Sequence, residues 1–264
     1  MLEYIETLLS LTSVEEIWAH HCQFMEGYGF DRLLYGYTRF QSRPNLLDLD
    51  ETVILSNHDK DYIKALIGGK LYINAPMVQW AWSNEGWESW GLVGQKLASG
   101  MLDAASLKVL ELNRSYGITA GISIGFQQST SRARGGIGLC ARRDLSQCEV
   151  DAIWAEHQRT LLVACQLMHM RLSGLPYIPP KRHLSPRQRE TLEWIADGKT
   201  VMDVAMLMGL TSTTIEKHLR LAREALNVET TAQAVLKAAV MNQIFQPTPE
   251  PVLENPLHHS SPRA

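Results

Sequence analysis

Cysteine is scarce: the 264 residues contain four, Cys22, Cys140, Cys148 and Cys165, and no two form a CxxC pair. That scatter argues against zinc and dithiol chemistry and reads the thiols as free and buried. No apolar run reaches the roughly 18 residues of a membrane span. The opening stretch MLEYIETLLSLTSVEE carries acids where a secretory signal needs a basic segment and a long apolar core, so a cytoplasmic protein is expected. There is also no glycine-rich phosphate loop, no serine or cysteine nucleophile motif and no histidine pair at metal spacing. Neither catalytic nor metal-binding residues are therefore assigned, no cofactor is expected, and the chain reads as a non-enzyme. His20 and His21 fall on a helical pattern as surface or packed residues.

What is present is the composition of a globular protein, with 45% hydrophobic and 20% charged residues, long enough for two domains. The net charge of −3 hides a division: residues 181–246 hold nine Lys/Arg against seven Asp/Glu, whereas the first 180 hold 15 against 19. A mildly basic module is joined to an acidic one. Three prolines in SGLPYIPPKRH (residues 173–183) force extended backbone and mark a linker. From Pro247 onward the chain holds five of its eleven prolines and little that could form a core, the composition of a disordered tail. The division is thus 1–172, linker 173–183, second domain 184–246 and tail 247–264.

In the first part Ser13 and Glu16 form a capping-box pattern ahead of Ile17, Trp18, His21, Phe24 and Met25 at helical spacing. DRLLYGYTRF, ETVILSN, ITAGISIGFQ and RGGIGLCAR read as strands, the last two joined by the polar loop QSTSRA as in an antiparallel hairpin. SLKVLELNRSYG and SQCEVDAIWAEHQRTLLVACQLMHMRL read as helices. Strands gathered between helices predict an α+β fold, an α-β-α sandwich with a central antiparallel sheet covered on both faces.

After the linker the pattern changes to four helices. Ser185 can cap the first, with Pro186 in its opening turn and Gly198 at its end. A second runs from about Val201 to Met208, and Gly209 permits a sharp turn. Thr211, Ser212 or Thr213 can cap the third, Thr213 with Glu216 matching a capping box. Small Ala205, Gly209 four residues on and branched Ile215 six further reproduce the helix-turn-helix spacing. In the third helix Ile215, Leu219, Ala222 and Leu226 form one apolar stripe. That stripe leaves Lys217, Arg220 and Arg223 on an outer face, with Thr214 and Glu216 nearby. Hydroxyls and helix N-terminal N–H groups suit phosphate oxygens, Arg220 a guanine edge and Glu216 a cytosine amine. The expected DNA contacts are Lys199, Thr211, Thr213, Thr214, Glu216, Lys217, Arg220 and Arg223, on double-stranded DNA.

These residues resemble the DNA-binding domain of LuxR-type regulators across Leu184–Ile244, with Gln188 where the family usually has Glu. The first part resembles, less closely, the autoinducer-binding domain of the quorum-sensing members, from about Val14 to Leu172. There Tyr62 and Leu66 take the places of a family Trp–Tyr pair, Pro76 matches a proline and Trp90 a later Trp. The family's Asp falls on Ala75, or on Asn74 with a shift of one. The resemblance implies a pocket for an acyl-homoserine lactone, with aromatic walls burying the chain and an indole N–H meeting the lactone carbonyl. Its implied ligand-binding positions are His58, Tyr62, Leu66, Tyr72, Asn74, Trp87 and Trp90. The resulting expectation is a ligand-regulated transcription factor, a homodimer on a roughly palindromic operator with half-site centres about 34–36 Å apart. Dimer contacts are expected from the helix over Leu145–Leu172 and from Ala234, Leu236, Ala238 and Val240. A regulator of the same fold that is ligand-independent, partner-controlled or responsive to a non-lactone signal stands beside it.

Overall fold

The computed structural model describes residues 1–39, 52–127, 130, 132–175 and 184–245. Most of the expected linker, part of the QSTSRA loop and the expected tail lie outside the described residues. The first part opens with two helices, α1 (Leu2–Ser10) and α2 (Val14–Glu26). Ser13 caps α2 through the Glu16 amide, and the Glu16 carboxylate accepts from the Ser13 backbone, so the capping box forms. Strands β1 (Phe30–Thr38) and β2 (Thr52–Ser56) follow. Then come α3 (Lys60–Ile63) continuing into a π turn at Lys64–Gly68, and a 3₁₀ turn at Leu71–Asn74. Helix α4 (Pro76–Ser83), strand β3 (Gly86–Ser89), α5 (Gly91–Ala98) and α6 (Ala104–Ser115) complete the middle. Strands β4 (Gly121–Gly125) and β5 (Arg134–Ala141) precede the 28-residue helix α7 (Gln147–Gly174).

The sheet is antiparallel throughout, in the order β2-β1-β5-β4-β3. Its two faces differ because side chains alternate along each strand. Leu33, Tyr35, Tyr37, Ile122, Ile124, Ile137 and Leu139 pack on one face with Ile17 and Met25 of α2 and Trp154, Leu161 and Met168 of α7. Many of the intervening positions are small. Gly36, Gly136, Gly125 and Gly86 stand opposite one another across four strands, a row with no side chains. Helix α4 descends onto that row, so closely that a Cβ on Gly136 would lie 2.9 Å from that of Ala81. The expected α-β-α sandwich is therefore present. Several elements were not expected from the sequence: α1, the helical run α3 to α5 with its π and 3₁₀ turns, and β3 at the sheet edge.

The second part is all-helical: α8 (Pro186–Ala196), α9 (Val201–Met208), α10 (Ser212–Leu226) and α11 (Thr231–Val240). Its core gathers Leu192, Val204, Ala205, Ile215, Leu219, Ala222, Leu226, Ala234 and Ala238. The Ala205–Gly209–Ile215 spacing works as anticipated. Ala205 is buried at the joint, Gly209 takes φ +66° to end α9, and Ile215 is fully buried. The cap of α10 is Thr211, whose hydroxyl accepts from the Thr214 amide at 3.2 Å, and not Thr213 with Glu216. The helix begins one residue after Thr211, so Thr213 already lies inside its first turn. Gln188 completes the capping box of α8, its amide oxygen accepting from the Ser185 N–H at 2.8 Å, so the neutral amide does the work of a carboxylate there.

Candidate ligand cavity and nucleic-acid interface

Between the glycine-bearing face of the sheet and α3–α6 lies a cavity of about 370 Å³. The sheet supplies its floor through Leu34, Gly36, Ser123, Gly136 and Gly138; helices and turns supply Tyr62, Leu66, Tyr72, Ala75, Val78, Trp82, Trp90, Val93 and Val109. Apart from Leu34 these floor positions are glycine or serine, and α4 and Trp90 press close against part of that bare surface while the rest stays open. Trp90 lies over the floor: a Cβ on Gly121 would meet its ring at 3.0 Å, and one on Gly138 at 3.7 Å. Substitution at Gly121 would also strike the Leu139 carbonyl, so this position must remain bare for β4 and β5 to pair.

Polar groups interrupt the apolar wall at few places. The Trp90 indole Nε1–H donates to Ser123 Oγ at 3.0 Å, and the Tyr62 hydroxyl donates to Asn113 Oδ1 at 3.0 Å. His58 packs against the Tyr62 ring with centroids 5.1 Å apart. Burial, reinforced by the nearby Arg32 guanidinium and opposed by Asp31, pulls His58 down to about 4, so its ring is neutral near pH 7. Burial also pushes the Tyr62 phenol up, which keeps it a hydrogen-bond donor. At the rim Gln147, in the first turn of α7, donates to Ser89 Oγ, the Gly121 carbonyl and Asp151 and accepts the Gly121 amide.

Of the positions expected to touch ligand, His58, Tyr62, Leu66, Tyr72 and Trp90 line this cavity. Asn74 and Trp87 do not. Asn74 ends the 3₁₀ turn and offers its carbonyl to Ser106 Oγ at 3.2 Å, while the next residue, Ala75, lines the cavity and is 6% exposed. Trp87 pairs in register with Ile124 and shares its face, so its ring packs on Trp154 of α7, centroids 5.4 Å apart. Sequence reasoning missed Asn113 and Ser123. The signal for Ser123 was its alternation with Ile122 and Ile124 in GISIG, which marks it as facing away from the packed core.

In the helical part α10 presents Thr213, Glu216, Lys217 and Arg220, all exposed, along one side. Arg220 Nη1 donates to Glu224 at 2.6 Å in an exposed ion pair. Arg223 departs from the expected outer face: it is half-buried, and its Nη1 donates to Thr231 Oγ1 at 3.0 Å, tying α10 to α11. Lys199 is exposed just ahead of α9, and Thr211 and Thr214 join hydroxyls at 2.9 Å at the head of α10. Of the expected dimer contacts on α11, Ala234 and Ala238 are spent inside this core, whereas Leu236 is 58% exposed. Among the described residues no helix is long and apolar enough to cross a membrane, and no cluster of three or more His, Cys, Asp or Glu could hold a metal ion.

An α-β-α domain enclosing an apolar cavity, followed by a helix-turn-helix, defines a class: transcriptional regulators that sense a small molecule. Residues 13–172 match the family model for the autoinducer binding domain, and residues 182–238 that for bacterial regulatory proteins of the luxR family. The chain belongs to the LuxR family of quorum-sensing transcriptional regulators. It is 24% identical over 260 residues to the transcriptional activator protein AhyR of Aeromonas hydrophila, covering 96% of this chain and 95% of that protein. It is 28% identical over 137 residues to the regulatory protein SdiA of Escherichia coli strain K12, a match to 51% of this chain and 55% of SdiA. The fold is similar to that of SdiA in complex with octanoyl-rac-glycerol, with TM-score 0.50 and 16% identity over 90% of this chain and 92% of that one.

Proposed function

We propose that this protein binds an acylated signal in the cavity between sheet and α3–α6, and reads a roughly palindromic operator as a homodimer through α10. It acts by binding and not by catalysis, in the cytoplasm, where the operator is. The observation that carries the reading is the cavity itself: about 370 Å³, walled by apolar and aromatic side chains with a handful of polar groups. Such a space suits an amphiphile with an aliphatic tail and a small head, and each buried methylene contributes about 0.8 kcal/mol. Acyl-homoserine lactones have that form, as does the octanoyl-rac-glycerol bound by SdiA.

On the output side Thr213, Lys217 and Arg220 lie where α10 would enter a major groove, with Thr211 and Thr214 at its positive end and Lys199 beside it for phosphate. Arg223 serves to hold α11 and contributes to DNA binding through its charge alone. The test is a titration of a palindromic duplex with full-length protein in the presence and absence of octanoyl compounds, monitored by fluorescence anisotropy. The expected result is a ligand-dependent change in affinity and a stoichiometry of two chains per duplex. Equal affinity with and without ligand, or one chain per duplex, would defeat the proposal.

A further inference from the structure

The Trp90 indole meets Ser123 inside the cavity, but the backbone that carries it is anchored from outside, on the first turn of α7. The β3–β4 pairing ends at Ser89 and Ile122. The next residue of β4, Gly121, therefore stands where the chain leaves the sheet through Trp90 into α5. Trp90 still donates its backbone N–H to the Gly121 carbonyl at 3.1 Å. Gln147 takes the place of the missing strand. Its Oε1 accepts the Gly121 N–H at 3.0 Å, and its nitrogen shares two N–H bonds among the Gly121 carbonyl at 3.1 Å, Ser89 Oγ at 3.1 Å and Asp151 Oδ1 at 2.8 Å. A primary amide offers a donor and an acceptor side by side, as a peptide group does. Ser89 Oγ in turn accepts the Gly91 N–H at 3.0 Å and donates to Asp151 at 2.7 Å. The residues on both sides of Trp90 are thus tied to α7, whose first turn is fixed independently by the Ser146–Glu149 capping box.

We propose that Gln147 is a positioning residue of the ligand site, a role that rests on the reading of this cavity as that site. Its side-chain amide pins the Trp90 segment to the head of α7 and so holds the indole over Gly121, ready for ligand. Without it the Gly121 peptide loses its side-chain partner, and the wall is seated for only part of the time. The apparent dissociation constant then rises in inverse proportion to the seated fraction. One unmet backbone pair sets the scale at about tenfold. Coupling is reciprocal, so a ligand that packs against Trp90 tightens the bonds of Gln147 by the same factor.

The experiment is calorimetry on the full-length protein with 1-octanoylglycerol and N-octanoyl-homoserine lactone as probes, comparing the unaltered chain with Gln147→Ala and Gln147→Glu. The glutamate keeps the length of the side chain and suits a helix N-terminus, but it cannot donate to the Gly121 carbonyl. It gives the same readout should the alanine variant fail to fold. Both variants are expected to bind whichever probe the unaltered protein binds about tenfold more weakly, with the urea midpoint little changed. Bound probe is expected to slow hydrogen exchange at the Gly91 and Gly121 amides of the unaltered protein. Unchanged affinity in the variants, a loss matched by an equal fall in overall stability, or no slowing of exchange overturns the proposal while leaving the cavity as the ligand site. Failure of both probes to bind the unaltered protein removes that reading and the proposal with it.

Discussion

Arg220 stands mid-way along the exposed side of α10, paired with Glu224 across one helical turn. An exposed pair of this kind is worth little, so the guanidinium can exchange it for a guanine edge at small cost. Arg220→Ala is expected to lose about 1–3 kcal/mol on the operator and less on a scrambled duplex. Anisotropy titrations on both duplexes check this; an equal loss on both would make Arg220 a phosphate contact. Three histidines give a second prediction. Burial, with His20 adding to it, takes His21 down to about 3, and burial alone takes His169 to about 4, with His58 also at about 4. In the unfolded chain each takes up a proton near 6.5 that the folded state refuses. Their contribution to stability is present above that pH and is lost as pH falls toward the folded values, by up to about 1.4 kcal/mol per pH unit for each. Urea midpoints should fall from pH 7 to pH 5; a flat profile would contradict the burial. At this scale the sequence was only partly legible. The family resemblance pointed to Tyr62, Leu66 and Trp90, which line the cavity, but the choice between Asn74 and Ala75 turned on where a 3₁₀ turn ended. Trp87 was misread because β3 was not foreseen, and without a strand there is no alternation to say which face a side chain takes.

Gly209 shows an element boundary written plainly in the chain. Its φ of +66° ends α9, and nothing lies within 4 Å of where a Cβ would stand. A substitution therefore meets backbone strain and no clash. Gly209→Ala is expected to lower the stability of the helical part by about 1–2 kcal/mol, read from chemical denaturation, with the helices otherwise retained. No loss would mean that the turn relaxes to another geometry. The four C-terminal helices were legible because each carries its own period and cap. The strands of the first part were legible for the alternation of large residues with glycine, and that alternation also leaves the floor of the cavity open. Strand β3 escaped notice because it has four residues, GWES, with no β-branched side chain among them. Helix α1 is short and its acids Glu3 and Glu6 are exposed, so its only helical mark is buried Tyr4 and Leu8 four apart, one helical turn.

At the scale of the whole molecule, the proposed homodimer turns on which surfaces two copies would share. Ala234 and Ala238 serve the core of one chain and are unavailable to a partner, which leaves exposed Leu236 and half-buried Val240 of the expected positions for any contact by α11. On α7 the exposed Val163 and Met170 offer a second apolar strip. Leu236→Glu is expected to raise the dimer dissociation constant at least about tenfold, the scale of losing one buried leucine and burying a charge. Sedimentation equilibrium would measure it, and an unchanged association would assign dimerisation to α7 alone.

The hollow under Trp90 has a last consequence, for turnover. A chain whose interior is left unfinished on one side of its sheet is held together less firmly when nothing occupies it. A guest that binds only the folded form adds about 2.7 kcal/mol at a hundredfold excess over its dissociation constant. Proteases attack what opens, and opening becomes rarer by the same factor. The abundance of the signal would then govern how long each copy of the regulator survives as well as what it does.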